Sequence, residues 1–279
     1  MIAATSTSRE ALAAATDAIA AAGSDTARLD AELLLCEATG WDRARVTAEP
    51  ELRLPVGASR AFAEMIRRRV RREPVAYILG RKAFRHIELL VDRRVLIPRP
   101  ESELLVEVAV ELGPATILDV GTGSGAIALA VADELAKSTV TAIDTSMGAL
   151  RVAQANVDRL GLGARVDVVC AGVDSPPDGE FELVLANLPY VSEEEWDGLA
   201  PEIREYEPRE ALVSGPTGLD AIEALLGRVA ALDQRPPAVA LEIGAAQGPA
   251  VDQLVRHAGY AEVEVRTDLA GLDRVVVGR

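Results

Sequence analysis

The sequence predicts an α/β fold, a mostly parallel sheet with helices on both faces, preceded by a small helical domain. Three observations carry this expectation. After Glu101, short apolar and β-branched runs alternate with segments of helical periodicity, the pattern of successive β-α-β units. One junction, Gly121-Thr122-Gly123-Ser124-Gly125, sets glycines at alternate positions between a strand and a helix, where the backbone can turn tightly and approach a ligand. The next strand ends in a carboxylate, Asp144, about 20 residues beyond the glycine turn, the place of a ribose-binding acid.

Taken in order, helices are expected over Ser8 to Ala22, Ala27 to Thr39 and Ala58 to Arg72, separated by the breakers Gly23, Gly40, Pro50 and Pro55. From Tyr77 to Leu96 the periodicity shifts to alternation, with Phe84, Ile87, Leu89, Val91 and Val95 spaced by polar residues, which predicts a β-hairpin. The remainder reads helix Ser102 to Leu112, strand Thr116 to Val120, helix Ala126 to Leu135, strand Val140 to Ile143, helix Met147 to Leu160, and strands Arg165 to Cys170 and Phe181 to Ala186. Helix Gly218 to Leu232, strand Ala238 to Ile243, helix Gly248 to Ala258, and strands Ala261 to Thr267 and Arg274 to Gly278 complete it. The expected division is a helical domain over residues 1–75, a hairpin linker over 76–100 and an α/β domain over 101–279.

Composition narrows the function. At 279 residues and 49% hydrophobic, the chain can bury a large core. No stretch approaches the ~18 consecutive apolar residues of a spanning helix. Arg9 and Glu10 lie inside an alanine-rich helical pattern without a charged leader and cleavage site. A cytoplasmic protein with no membrane partner is expected. Cys36 and Cys170 are distant in sequence, and His86 and His257 are isolated, so neither a disulfide framework nor a metal is expected. A net charge of −15 opposes non-specific binding to nucleic acid. The one basic cluster, Arg67-Arg68-Arg69 with Arg71 and Arg72, reads as a solvated helix face or a contact for an acidic or RNA-bearing partner.

The chemistry concentrates in Asn187-Leu188-Pro189-Tyr190, at the carboxyl end of an apolar strand, where the ligand crevice of an open α/β sheet lies. Such a sequence can simply end a strand in a turn. Its other reading is more specific. The side-chain carbonyl of Asn187 and the backbone carbonyl of Leu188 can accept both hydrogens of a planar NH2 group, with the Tyr190 ring against its face. That suits a substrate amide or an exocyclic amine. For Asp144 a competing role is helix capping, which Thr145 or Ser146 could share. A nucleoside-bearing ligand is the economical inference.

Together these residues resemble the class I S-adenosylmethionine-dependent methyltransferases, and within them the release-factor glutamine methyltransferases (HemK/PrmC type). The narrower resemblance rests on Ile97-Pro98-Arg99-Pro100-Glu101-Ser102-Glu103, similar to an IPRPxTE-like signature, and on Glu73 to Gly80 before it. Tyr206 to Arg209, Gly218 to Asp220, Leu241 to Gly244 and Asp268 to Arg274 are similar to further family segments. The resemblance implies a Rossmann-like, seven-stranded methyltransferase sheet with an antiparallel final strand, and an N-terminal helical domain that docks class I peptide chain release factors. The implied substrate is the glutamine of a Gly-Gly-Gln loop and the product N5-methylglutamine. Gly121, Thr122, Gly123, Ser124 and Gly125 would hold the methionine part of S-adenosyl-L-methionine, and Asp144 its ribose. Asn187, Leu188, Pro189 and Tyr190 would hold the glutamine amide, with Leu96 in the pocket wall. No metal, no direct nucleic-acid target and a monomer are expected.

Two departures stand out. Leu188 replaces the first proline of the family's Asn-Pro-Pro-Tyr, but a backbone carbonyl there is independent of the side chain, so activity is expected to survive. Ala171-Gly172 occupies the place where relatives carry an acidic and an aromatic residue beside the adenine, leaving Gly172 to line that site. Arg99 and Glu101 read either as helix-start chemistry or as substrate contacts. Rival functions are methylation of the exocyclic amine of adenine, for which the 3% aromatic, acidic chain is poorly equipped, methylation of a ribosomal-protein glutamine, and a non-catalytic cofactor-binding adaptor of a translation factor.

Overall fold

Apolar side chains at helical spacing build the first of two compact units, Met1–Gly80, in a computed structural model that describes residues 6–177 and 179–279. Helix α1 (Ser8–Ala21) opens on a capping box in which the Thr7 hydroxyl accepts from the Glu10 N–H while the Glu10 carboxylate accepts from the Thr7 N–H. Helix α2 (Ala27–Thr39) stops at Gly40 in the left-handed region. Helix α4 (Val56–Val70) lies across them, and Leu12, Ile19, Leu34, Leu35, Phe62 and Ile66 form the shared core.

Two short helices depart from expectation. Asp42 caps α3 (Arg43–Ala48), its carboxylate accepting from the Arg45 N–H at 2.7 Å. Helix α5 (Val75–Leu79) occupies the start of the expected hairpin, so the unit boundary falls at Gly80/Arg81 rather than at 75/76. The cause is local and tertiary at once. Pro74 and Gly80 bracket one helical turn, and Val75, Ile78 and Leu79 pack on the core of the first unit.

The basic cluster is largely structural. Arg69 falls on the same face of α4 as Phe62 and Ile66, is only 5% exposed, and donates through Nε to the Asp30 carboxylate at 2.7 Å and through Nη2 to the Ser24 hydroxyl at 2.8 Å. Arg68 bridges to Glu73, Arg67 to Glu64, and Arg72 donates to the Ala22 carbonyl.

The second unit, Arg81–Arg279, opens with the hairpin β1 (Arg81–Phe84) and β2 (Ile87–Leu90), joined by a two-residue turn at Arg85-His86. After a 3-10 turn at Pro100–Ser102 come α6 (Glu103–Leu112), β3 (Thr116–Val120), α7 (Ala126–Glu134), β4 (Thr139–Asp144), α8 (Met147–Leu160), β5 (Val166–Cys170) and β6 (Leu183–Ala186). Two helices absent from the sequence reading follow, α9 (Glu193–Trp196) and α10 (Pro201–Tyr206). Their signals were present: Ser192 and Glu195 form a capping box, and Pro201 opens α10. Then come α11 (Asp220–Ala230), β7 (Ala238–Glu242), α12 (Gly248–His257), β8 (Val263–Thr267) and β9 (Asp273–Gly278).

The sheet order is β5-β4-β3-β6-β7-β9-β8, parallel from β5 to β7, with β9 antiparallel to both its neighbours. Alternate residues of each central strand feed two cores. Ile117, Leu183 and Ala240 face α6 and α7, whereas Leu118, Val184 and Leu241 face α11 and α12. The strand order reverses between β3 and β6, so a crevice opens at their carboxyl ends.

Asp30→Ala leaves the Arg69 guanidinium buried without its carboxylate. The expected cost is about 3–5 kcal/mol of unfolding free energy, to be measured by urea denaturation, whereas Arg67→Ala on the exposed face changes stability by less than about 0.5 kcal/mol.

Candidate functional site

The register of the parallel strands assembles the site. Val120 pairs with Ile143 on one side and Ala186 on the other, and Ala186 pairs with Leu241. The next residue of each strand, Gly121, Asp144, Asn187 and Glu242, therefore emerges at one level at the sheet's carboxyl edge. A cavity of about 250 Å³ opens there.

Of the residues expected from the sequence, Leu96, Gly121, Thr122, Gly123, Ser124, Asp144, Gly172, Asn187, Leu188 and Pro189 all line this cavity. Gly125 and Tyr190 do not. Gly125 sits behind the turn as the N-cap of α7, and the Tyr190 ring is directed inward, its hydroxyl donating to the Glu242 carboxyl at 3.4 Å.

The glycine turn is held from below. Gly121 has φ +74°, and both it and Thr122 donate N–H groups to the Ile143 carbonyl at 2.9 Å. A Cβ at Gly121 would lie 3.1 Å from Leu188 Cδ2, so the turn and the Asn187-Leu188 segment approach each other as closely as a glycine permits. Asp119, fully buried in β3, accepts from the Thr122 hydroxyl at 2.6 Å. Asn156 of α8 donates to the Ser124 carbonyl and exchanges two hydrogen bonds with the Leu90 backbone, so that the end of the hairpin braces the turn.

Asp144 accepts through Oδ2 from the Gly123 N–H at 2.9 Å and through Oδ1 from the Ser146 N–H at 2.8 Å. Helix α8 is capped by Ser146, whose hydroxyl accepts from Ala149. Asp144 is thus free of the capping role, and each of its oxygens keeps a lone pair for a ligand hydroxyl. Gly172 lines the cavity beside Thr145, whose Cγ2 lies 3.0 Å from the place a Cβ at 172 would take. The donor set, a glycine turn with a carboxylate beside it, suits a nucleoside-bearing ligand.

Asn187 is oriented by a partner the sequence reading did not single out. Its Nδ2 donates to the Ser102 hydroxyl at 3.0 Å, which leaves Oδ1 as the free acceptor at the cavity. Leu188 is 7% exposed, and this burial steadies the turn. The opposite wall is tied by Glu207, whose buried carboxylate accepts from the Ile97 N–H at 3.0 Å and from the Arg99 guanidinium. Arg99 and Glu101 do not reach the cavity, whereas Pro98, Ser102, Pro208, Glu210 and Ala211 do. Glu207 joins the two lining segments on either side of it.

Two acids in the floor are strongly perturbed. Burial, with the like charge of Asp144 adding to it, pushes Asp119 up to about 6, against hydrogen bonds from the Thr122 hydroxyl and the Ala128 N–H. Burial, aided by the Glu101 charge, pushes Glu242 up to about 7, against the hydrogen bond from Tyr190 and the charge of Arg274. Neither Asp119 nor Glu242 was expected from the sequence, although an acid inside an all-apolar strand run is a visible anomaly. Among the described residues, no group of three or more His, Cys, Asp or Glu side chains is placed to hold a metal, and no helix is long and apolar enough to cross a membrane.

Comparison with known proteins places the chain among its relatives. A family model described as the PrmC N-terminal domain matches residues 10–80, and a methyltransferase domain model matches residues 117–206. The release factor glutamine methyltransferase of Cereibacter sphaeroides is 41% identical over 271 residues, covering 97% of each chain. That of Moorella thermoacetica is 42% identical, covering 96% of each, and that of Caulobacter vibrioides 39%, covering 95% of this chain and 93% of the relative. Among solved structures, the hMettl16 catalytic domain in complex with MAT2A 3'UTR hairpin 1 superposes with a TM-score of 0.56 at 15% identity, over 73% of this chain and 78% of that one. This last likeness is one of fold.

The native state keeps on Asp119 a proton that the unfolded chain releases, so this residue's contribution to stability falls as pH rises from about 3.8 to about 6. Asp119→Asn removes that dependence. Relative to wild type, the variant is expected to gain up to roughly 3 kcal/mol across this window and nothing further above it, as read from urea unfolding in steps of one pH unit.

Proposed function

The chain belongs to the release factor glutamine methyltransferase family, and on that premise we propose that Asn187 and the Leu188 carbonyl hold a release-factor glutamine amide for methylation at N5. The observation that supports this most is the Asn187–Ser102 hydrogen bond. Because Nδ2 is engaged by Ser102, the group presented to the cavity is a carbonyl, the right polarity to accept a hydrogen of a substrate NH2.

S-adenosyl-L-methionine supplies an electrophilic methyl group on a sulfonium. The glycine turn Gly121 to Gly125 suits its methionine part, the remaining lone pairs of Asp144 its ribose hydroxyls, and the Thr145-Gly172 wall its adenine. An amide nitrogen is a poor nucleophile, since its lone pair is delocalised into the carbonyl. Two acceptors on its hydrogens, Asn187 Oδ1 and the Leu188 carbonyl, aim the nitrogen and draw electron density towards it. Their attraction grows as positive charge develops on that nitrogen, which is differential stabilisation of the transition state. No side-chain base is needed for the methyl transfer itself, and alignment of the two reactants can supply on the order of 7–11 kcal/mol. Tyr190 contributes as part of the floor, through its inward hydroxyl, more than as a ring against the amide.

The helical domain serves in this reading to dock the release factor, with the Gly-Gly-Gln loop reaching the cavity. The support is the match of residues 10–80 to the PrmC N-terminal domain together with relatives named for release factors. A translation factor as substrate fits a cytoplasmic enzyme acting as a monomer. The net charge of −15 and the 3% aromatic content speak against a flipped nucleobase as substrate.

Methyl transfer from labelled S-adenosylmethionine to a purified class I release factor, a ribosomal-protein fraction and duplex DNA tests this. Label is expected on the Gly-Gly-Gln glutamine alone. Asn187→Ala is expected to lower turnover at least a hundredfold, about 3 kcal/mol, with the thermal midpoint unchanged. A loss under tenfold, or label on DNA or on a ribosomal protein instead, overturns the assignment, and cofactor binding without any transfer leaves an adaptor role in its place.

A further inference from the structure

We propose that Glu207 is a positioning residue for the substrate end of the cavity, pinning the turn Arg209–Ala211 to the segment Leu96–Pro98 so that the two together wall the place of the glutamine side chain. The inference rests on the reading of Asn187 and the Leu188 carbonyl as the acceptors for the substrate amide.

Two stretches distant in sequence contribute to this wall. Leu96, Pro98 and Ser102 come from the segment after the hairpin, and Pro208, Glu210 and Ala211 from the segment after α10. The first is set beside Asn187 by the Ser102 contact at 3.0 Å. The second is a 3-10 turn, Arg209–Ala211, in which the Ala211 N–H donates to the Pro208 carbonyl at 3.0 Å. A turn of three residues carries little stability of its own. What anchors it at each end therefore decides where it lies.

After the turn the anchor is backbone. Val191 donates to the Leu212 carbonyl at 2.8 Å and accepts from the Ser214 N–H at 2.9 Å, which ties the exit of the turn to the segment that leaves Asn187 and Pro189. Before the turn the anchor is Glu207. It is 6% exposed, and its Oε2 accepts at 3.0 Å from the Ile97 N–H, 110 residues away in sequence, while Oε1 accepts from the Arg99 guanidinium. One carboxylate thus holds the backbone between Leu96 and Pro98 and the side chain just beyond Pro98. Beside it the Arg93 guanidinium lies over the Tyr206 ring at 4.4 Å, a second contact between the same two segments. Ile97 is itself buried, so an apolar residue at 207 takes away the acceptor of a buried N–H, and the two segments can satisfy that group only by parting. These contacts involve neither the glycine turn nor Asp144 nor Gly172, the groups assigned to the cofactor. Loss of Glu207 is therefore felt by the reactant whose amide has to be aligned, and a displacement of about 1 Å can cost on the order of a hundredfold in rate.

The test pairs steady-state kinetics, with S-adenosylmethionine and an intact class I release factor, with calorimetric titration of S-adenosylhomocysteine, on Glu207→Leu and Glu207→Gln, thermal midpoints being recorded for each. Glu207→Leu is expected to lower kcat/KM for the release factor at least about tenfold, while the Kd for S-adenosylhomocysteine stays within about threefold of wild type. Glu207→Gln keeps one acceptor for the Ile97 N–H and loses the charge match to Arg99, so its loss is smaller, about three- to tenfold, with the same unchanged Kd. A folded Leu variant with a smaller loss than tenfold, a Gln variant no better than Leu, or a Kd that weakens in step with kcat/KM overturns the proposal, the last because it reports a cavity disturbed throughout. If Glu207→Leu does not fold, Glu207→Gln decides alone: a loss of at least about threefold at unchanged Kd supports the proposal, and a smaller loss or a weakened Kd overturns it. Asn187→Ala measured in parallel separates the two levels. Full activity there removes the reading of the site itself, whereas its loss beside undiminished Glu207 variants removes only the role of Glu207.

Discussion

The parallel register of β3, β4, β6 and β7 is the constraint on which the rest depends. Side chains on both faces of these strands are buried, so a slip of one residue would exchange the two cores and is strongly disfavoured. Once the register is set, the residues after Val120, Ile143, Ala186 and Leu241 have no choice about where they emerge. A glycine turn, a carboxylate, an asparagine and a buried glutamate from segments far apart in sequence arrive at one edge. The reversal of strand order between β3 and β6 keeps a connecting helix from covering that edge.

Around this edge the protein accepts electrostatic cost for geometric control. Asp119 anchors the glycine turn through Thr122, Glu207 fastens Ile97 and Arg99 to the segment before Pro208, and Glu242 accepts from the inward Tyr190 hydroxyl. All three carboxyl groups are buried, which taken alone lowers stability. The buried cores of the sheet are large enough to absorb this, and the groups that meet the ligand are then held by hydrogen bonds of defined direction. Glu207, like Asp30 in the helical unit, is matched by a guanidinium, from Arg99 and from Arg69 respectively, whereas among the described residues Asp119 and Glu242 have no ion-pair partner.

Much of this was legible in the chain. Strands Thr116–Val120 and helices Ala27–Thr39 and Met147–Leu160 lie where periodicity and caps put them, because both faces of those segments follow a single period. The short helices α3, α5, α9 and α10 were missed although Asp42, Pro74 with Gly80, Ser192 with Glu195, and Pro201 signal them, because segments of one or two turns carry too little periodicity to register. Arg69 was read with its neighbours as part of a charged patch. Its spacing from Phe62 and Ile66 places it on the apolar face, but only the presence of Asp30 on another helix makes that burial tolerable.

The sequence by itself determined the sheet, the glycine turn, the acid after β4 and the Asn187 segment, because each depends on local backbone preference and on the period of apolar residues. Only the tertiary structure decided which atoms of those residues face the cavity. Asp144 is released from capping by Ser146, Asn187 is turned by Ser102, and Tyr190 is drawn inward by Glu242. These outcomes rest on hydrogen-bond partners 52 to 85 residues away or on a choice between neighbouring hydroxyls. A donor or acceptor is assigned by what stands opposite it in space, and that is a property of the folded chain.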